Sequence, residues 1–186
     1  MPKVIADITM SLDGYVTGPG ADEQHGLGDA PELHTWVTEQ DAVDTEILER
    51  ATAQSGAVVM GRTSFDKTVH EWGPGGPVPG CRNFVVTHNA PYEDHPGYTF
   101  VTDGVASAIE QAQKAAGDKW VGLHGATVMQ QGLPLGLVDE IRVHVIPVLL
   151  GGGTPLFAHL DSAISLERTS VLATPAATHL GFRVVR

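Results

Sequence analysis

The sequence predicts an α/β fold: a mixed, mostly parallel sheet with flanking helices, closed by an antiparallel hairpin. Three features carry that prediction. Short apolar strands alternate with helical segments through the middle of the chain, the order that builds a parallel sheet covered by helices. Glycines follow two of those strands, at Gly61 and Gly125, where strand gives way to helix. Two final β-rich runs, 165–173 and 178–185, sit next to each other at the end of the chain.

In order, residues 3–10 place Val4, Ala6, Ile8 and Met10 on the buried side of a first strand. The next run, SLDGYVTGPGADEQHG, holds Asp13-Gly14 and Gly18-Pro19-Gly20, turn formers that keep the chain irregular to about residue 30. So long a loop beside a first strand fits a flap over a ligand or a plain surface excursion. Over 41–54, Val43, Ile47, Leu48 and Ala51 form one helical stripe while Asp44, Glu49 and Arg50 point away, with Thr38 or Asp41 as the cap. The continuous apolar run 57–60 reads as a strand covered on both faces, and 65–69 as a short helix after Gly61.

Residues 72–82, WGPGGPVPGCR, exclude a regular element. Strands at 83–87 and 98–102 flank a loop at 88–97. Asp103 is placed to cap a helix over 105–116 that buries Val105, Ala108, Ile109 and Ala112 and ends at Gly117. A strand at 119–123 leads to Gly125 and a helix that Gly132 and Pro134 stop. Across 140–150, Ile141, Val143 and Val145 alternate with Arg142 and His144, as in a strand with one exposed face, and Pro147 marks a sheet edge or a bulge. His144 on such a strand reads as a surface or interface residue.

The totals bound the function. A chain of 186 residues, 42% hydrophobic and 18% charged, is expected to form one domain over 1–186 with a continuous core. Eleven basic against twenty-two acidic residues, without a basic run, argue against nucleic acid as a partner. They do not argue against an anionic cofactor, because distant exposed charges are screened and local cations and N–H groups decide. No apolar run is long enough to span a membrane, and the N-terminus lacks a signal-peptide pattern, so a cytoplasmic protein is expected. Cys81 is the only cysteine, which fits a reducing compartment; in a proline and glycine loop it has no evident role.

Phosphate-loop, nucleophile-turn, zinc-pair and CxxC signatures are absent, as is GxGxxG. The nine histidines are scattered, so no metal site is expected. What remains is strand, glycine and the positive start of a helix at Gly61-Arg62-Thr63-Ser64, and again at Gly125: anion sites in outline.

The segments SLDGYV at 11–16, VVMGRTSFD at 58–66, FVVTH at 84–88, GATV at 125–128 and LVDEIRVHVIPVLLGGGTPLF at 137–157 resemble the dihydrofolate reductase-like family, typified by the C-terminal reductase domain of bacterial riboflavin biosynthesis proteins. The resemblance spans nearly the whole chain. It implies a three-layer α/β/α fold, a homodimer, NADPH as cofactor, and hydride transfer to a small pterin-like or ribosylaminopyrimidine-like heterocycle. By resemblance, Gly61, Arg62 and Thr63 open the helix that meets the cofactor's phosphates. Thr87 and His88 border its adenosine end, and Gly125, Ala126, Thr127 and Val128 hold the diphosphate and nicotinamide.

This chain departs from the family at His124-Gly125, where a glycine pair is usual. Either the His124 ring turns away and the cofactor binds, or the site is altered. For the acid, Asp13 fits a substrate site and a tight turn equally, while Glu46 and Asp44 lie on the helix where folate reductases of this fold keep an acid. Water could also supply the proton. Trp36 and Trp72 fit a pocket wall or ordinary core. A non-catalytic ligand-binding member of the same fold is the alternative function.

Overall fold

The computed structural model describes residues 1–91 and 93–185, so Tyr92 in the expected 88–97 loop and the terminal Arg186 lie outside the described residues. The order is β1 (Val4–Ser11), β2 (Tyr15–Thr17), α1 (Thr35–Thr38), α2 (Ala42–Gln54), β3 (Ser55–Gly61), α3 (Arg62–Trp72), β4 (Arg82–Val86), β5 (Tyr98–Val101), α4 (Val105–Ala116), β6 (Trp120–His124), α5 (Ala126–Gly132), β7 (Glu140–Ile146), β8 (Thr154–Pro155), β9 (Leu166–Ala173) and β10 (Thr178–Val184). Eight strands form the main sheet in the order β5-β4-β3-β6-β1-β7-β10-β9. From β5 to β7 neighbours run parallel, and β10 pairs antiparallel with both β7 and β9. The mixed sheet and closing hairpin are as the sequence predicts. The six parallel strands therefore end along one edge.

Strand periodicity divides the sheet into two unlike faces. Val4, Ala6, Ala57, Val59, Val121, Leu123, Ile141 and Val143 pack under α4 and α5 in one large core. Helix α4 buries Val105, Ala108, Ile109 and Ala112, as its spacing demands, and Gly117 follows it at φ +65°. Its N-cap is Gly104, with no side-chain capping bond, rather than Asp103.

On the reverse face the core is split. Leu33, Trp36 and Ile146 cluster under α1 and α2. Val58, Met60, Phe65 and Val85 cluster under α3, where Phe65 stands edge-on to Tyr98 and Phe100 at 4.9 and 5.2 Å. Each such ring pair adds about 0.5–1.5 kcal/mol beyond its buried area. Between the two clusters β6 and β1 turn Gly122, His124 and Asp7 to this face. A polar strip in the middle of a sheet face needs a reason.

Three expectations change. Strand β7 stops at Ile146, before Pro147, and lies between β1 and β10, so it is neither an edge nor half-exposed. The edge on this side of the sheet is β9, every residue of which is exposed, and β5 is the other edge. Helix α3 runs from Arg62 through Trp72, more than twice the expected length, because the start after Gly61 is already helical and the helix continues past Val69. The 11–30 segment is not wholly irregular: β2 pairs with β8 in a separate two-stranded ribbon. That pairing joins segments about 140 residues apart, which no local pattern reveals. Among the described residues no helix is long and apolar enough to cross a membrane.

Candidate active site

Gly61 is the N-cap of α3 and Gly125 that of α5, and no side chain caps either helix. Their first-turn N–H groups therefore meet the C-terminal edge of the parallel sheet without a side-chain acceptor. Because β3 and β6 are neighbours, the two helix starts lie side by side. A Cβ added at Gly61 would sit 3.8 Å from Thr127 Cβ and 3.9 Å from Val128 Cγ1. Gly125 has φ +90°, and a Cβ there would fall 2.3 Å from Ser64 Oγ. The fold thus brings Gly61, Arg62 and Thr63 together with Gly125, Ala126, Thr127 and Val128. Thr63 and Thr127 are exposed, whereas Ala126 and Val128 are buried and offer only backbone.

Arg62 is half-buried; its Nε donates to Asp66 Oδ1 at 2.7 Å and an NH to Asn89 O at 3.4 Å. The Thr87 hydroxyl donates to the same Asn89 carbonyl at 2.9 Å, and His88 is exposed beside it. Arg62 and Thr87 thus share one corner of the edge.

His124 sits on the reverse face, opposite α4 and α5, edge-on to Trp72 at 4.8 Å. Burial, with His34 nearby, pushes its pKa down to about 4 against the opposing pull of Asp7. The ring is therefore neutral at neutral pH. Ala6 pairs with Leu123, so the residues that follow them, Asp7 and His124, lie side by side on the reverse face.

From Asp7 a chain of hydrogen bonds runs into the protein. His144 Nε2 lies 2.7 Å from Asp7 Oδ1, His144 Nδ1 lies 2.7 Å from His179 Nδ1, and His179 Nε2 lies 2.9 Å from Asp44 Oδ1. Trp36 covers the His144 ring at 4.1 Å, and its indole N–H donates to Thr9 Oγ1 at 2.8 Å. Trp36 is thus both core and the cover of this chain.

These contacts correct two expectations. Asp44 is 1% exposed rather than turned outward, and His144 is 3% exposed rather than on the surface. Asp44 can be buried because it is satisfied: it closes a capping box with Asp41, accepting the Asp41 N–H, and it meets His179. Of the two expected caps, Thr38 and Asp41, Asp41 is the one used. The Asp41-x-x-Asp44 spacing was the available signal, although nothing local pairs Asp44 with residue 179.

Glu46 lies on the exposed side of α2. Asp13 accepts from the Ser11 hydroxyl at 2.6 Å and from the N–H groups of Leu150 and Gly151 at 3.1 and 2.8 Å. The Ser11 and Gly151 bonds lower its pKa to about 2, so it is ionised at neutral pH and clamps the first turn to the 151–153 glycine run. Of its two readings the geometry fits the turn.

A groove of about 620 Å³ opens on the reverse face, bounded by Ile5, Asp7, Trp120 and Arg142 on the sheet, Ile47 and Arg50 on α2, and Leu172 on β9. The Arg142 guanidinium lies over the Trp120 ring at 4.2 Å and 3.9 Å from Asp7 Oδ2. The groove thus offers cations, two carboxylates, Asp7 and Glu140, and an indole partly covered by Arg142. No group of three or more described side chains is arranged to hold a metal.

Comparison with known proteins agrees with this architecture. The uncharacterized protein YyaP of Bacillus subtilis is 26% identical over 180 residues, covering 89% of this chain and 85% of its own. A candidate riboflavin biosynthesis protein from Shewanella sp. PV-4 superposes with a TM-score of 0.76 at 23% identity, over the full length of both chains. Dihydrofolate reductase from Enterococcus faecalis, complexed with NADP(H), superposes with a TM-score of 0.59 at 13% identity, over 98% of this chain and 96% of its own. The RibD C-terminal domain model matches residues 2–180. With its sheet order, hairpin and match over nearly its whole length, the chain belongs to the RibD C-terminal domain family.

Proposed function

We propose that the protein is an NADPH-dependent reductase acting on a small heterocycle, pterin-like or ribosylaminopyrimidine-like. The observation that carries this reading is the apposition of two uncapped helix starts, α3 and α5, at the sheet edge beside which Asp7 and His124 line the reverse face. Gly61, Arg62 and Thr63 would take the cofactor's phosphates, with Thr87 and His88 at the adenosine end. The Gly125–Val128 backbone would take the diphosphate and nicotinamide end, where Gly125, with no Cβ, permits close approach. When bound, NADPH supplies a hydride. The neutral, half-buried His124 ring, edge-on to Trp72, would leave the Gly125 turn clear of a side chain. The groove would seat the substrate beside Asp7, which lies level with His124 and the Gly125 turn, with Arg142 holding a polar edge. Membership in a reductase-domain family and the NADP(H) carried by the Enterococcus faecalis enzyme support this reading.

Titrating NADPH while following its fluorescence and the protein's melting temperature tests it. A response at micromolar cofactor is expected, and none at millimolar would sink it. NADPH bound but never oxidised, across pterin and aminopyrimidine probes, would favour a non-catalytic binding member instead. Arg62→Ala should weaken NADPH about tenfold to hundredfold, the equivalent of one charged hydrogen bond of roughly 1.5–3 kcal/mol, and NADH little. Equal losses would remove Arg62 from the 2′-phosphate.

The assembly we propose is a homodimer that covers β9. This edge strand leaves Leu166, Val171 and Leu172 between 40% and 51% exposed, an open pairing edge with apolar side chains. Light scattering at micromolar concentration should give a dimer, and Val171→Lys should shift it toward monomer. A monomeric wild-type protein would refute the assembly.

A further inference from the structure

We propose that Asp7 is the group that protonates the reduced substrate, and that His144, His179 and Asp44 are positioning residues that store the proton it gives. The inference rests on the reductase reading above.

The hydrogen-bond count comes first. Asp7, His144, His179 and Asp44 are joined by three contacts of 2.7, 2.7 and 2.9 Å. Each contact needs one proton, because a carboxylate oxygen and a bare imidazole nitrogen are both acceptors. The Nδ1-to-Nδ1 contact is decisive, since one ring must donate and the other accept. Two neutral imidazoles bring two protons, so the chain holds a third. Losing it would set two acceptors face to face in a site where the His144, His179 and Asp44 side chains are only 4%, 6% and 1% exposed.

The surroundings place that third proton. Burial, and then His144, lower the pKa of His179, which makes His179 the neutral ring. The N–H of Asp41 and the start of α2 complement the negative charge of Asp44, so His179 Nε2 donates to Asp44. His144 Nδ1 then donates to His179, and the third proton lies between His144 Nε2 and Asp7 Oδ1. Asp7 is the accessible end of the chain, with its side chain 28% exposed in the groove. Among the described residues, the other charged or titratable groups around the chain are Arg142 and Glu140 from β7, Lys3 beside β1, His124 from β6, and Asp41 and Arg50 at the two ends of α2, while His34 faces His124. Trp36 seals the pair of rings from above.

The step balances. Hydride adds to the carbon of a C=N or C=O bond, and the bond's electron pair moves onto nitrogen or oxygen. The Asp7 O–H bond breaks and an N–H or O–H bond forms on the substrate. The chain is left with two protons over three contacts, and one solvent proton refills it through Asp7 once product leaves. The chain holds its third proton within reach of Asp7 because losing it would leave two acceptors face to face at a buried contact.

The test uses the full chain in two arms. In ¹⁵N-histidine-labelled protein without ligand, NMR should show one imidazole proton shared between two Nδ1 atoms and slow to exchange with water, lost in His179→Gln. With NADPH and 7,8-dihydropterin or a ribosylaminopyrimidine as probes, Asp7→Asn should lower kcat by about 10²–10⁴-fold while NADPH binding stays unchanged. Asp7→Glu should recover part of that loss. His179→Gln should lower kcat at constant KM and move the alkaline limb of kcat to lower pH. Wild-type kcat in Asp7→Asn, or a His179→Gln variant changed only in melting temperature, overturns the inference. Turnover without the shared proton overturns the store alone. The shared proton without any NADPH binding overturns the reductase reading and the donor role together.

Discussion

Replacing Gly125 with alanine is expected to weaken NADPH at least tenfold. The backbone there has φ +90°, which only glycine adopts freely, and a non-glycine residue so placed costs about 1–3 kcal/mol. The new Cβ would also lie 2.3 Å from Ser64 Oγ, on the first turn of α3. Relief of either strain moves the start of α5 against the start of α3, and those are the two surfaces proposed to meet the diphosphate. Gly61→Ala is the informative partner. Its φ of −81° suits any residue, and its new contacts of 3.8 and 3.9 Å are ordinary, so the fold should tolerate it. Equilibrium fluorescence titration with parallel thermal melts separates binding from stability. Wild-type NADPH affinity in Gly125→Ala would mean that the α5 start does not meet the cofactor.

Asp44→Ala should destabilise the protein by roughly 3–5 kcal/mol, which for a chain of this size lowers Tm by roughly 6–20 °C. The change strands the His179 Nε2 donor in a buried site and removes the acceptor of the Asp41 N–H. It also cuts the link that ties α2 to β10. Glu46→Ala, two residues along the same helix, should stay within about 0.5 kcal/mol because its side chain is on the exposed side. Thermal and urea unfolding of the two variants measure the contrast directly. Similar losses in both would show that the Asp44 contact contributes little.

The two variants also mark where the sequence stops being readable. A stripe of Val43, Ile47, Leu48 and Ala51 points Asp44 to solvent, since the helical period registers where apolar side chains gather and an acid counts against burial. The structure buries it because His179 arrives from a strand 135 residues away. The same cause hid His144. Alternation on β7 separates its two faces correctly, but whether the polar face meets water or a partner depends on β10 and Trp36, which local period cannot see. Pro147 marks neither an edge nor a bulge within β7: the strand ends before it, at Ile146, and β7 lies between β1 and β10 while β9 forms the edge beyond β10.

The α/β class, the closing hairpin, the buried stripe of α4 and the two strand-glycine-helix turns are legible in the residues alone. Each of these rests on neighbours within a few residues, where period and turn chemistry act. Folding in three dimensions is what brings the two turns into contact, packs the His124 ring against Trp72, and joins Asp7, His144, His179 and Asp44 in one chain. Those contacts depend on strand order and register, which set the distance between segments far apart in sequence. A buried polar residue becomes affordable only when that distance brings it a partner.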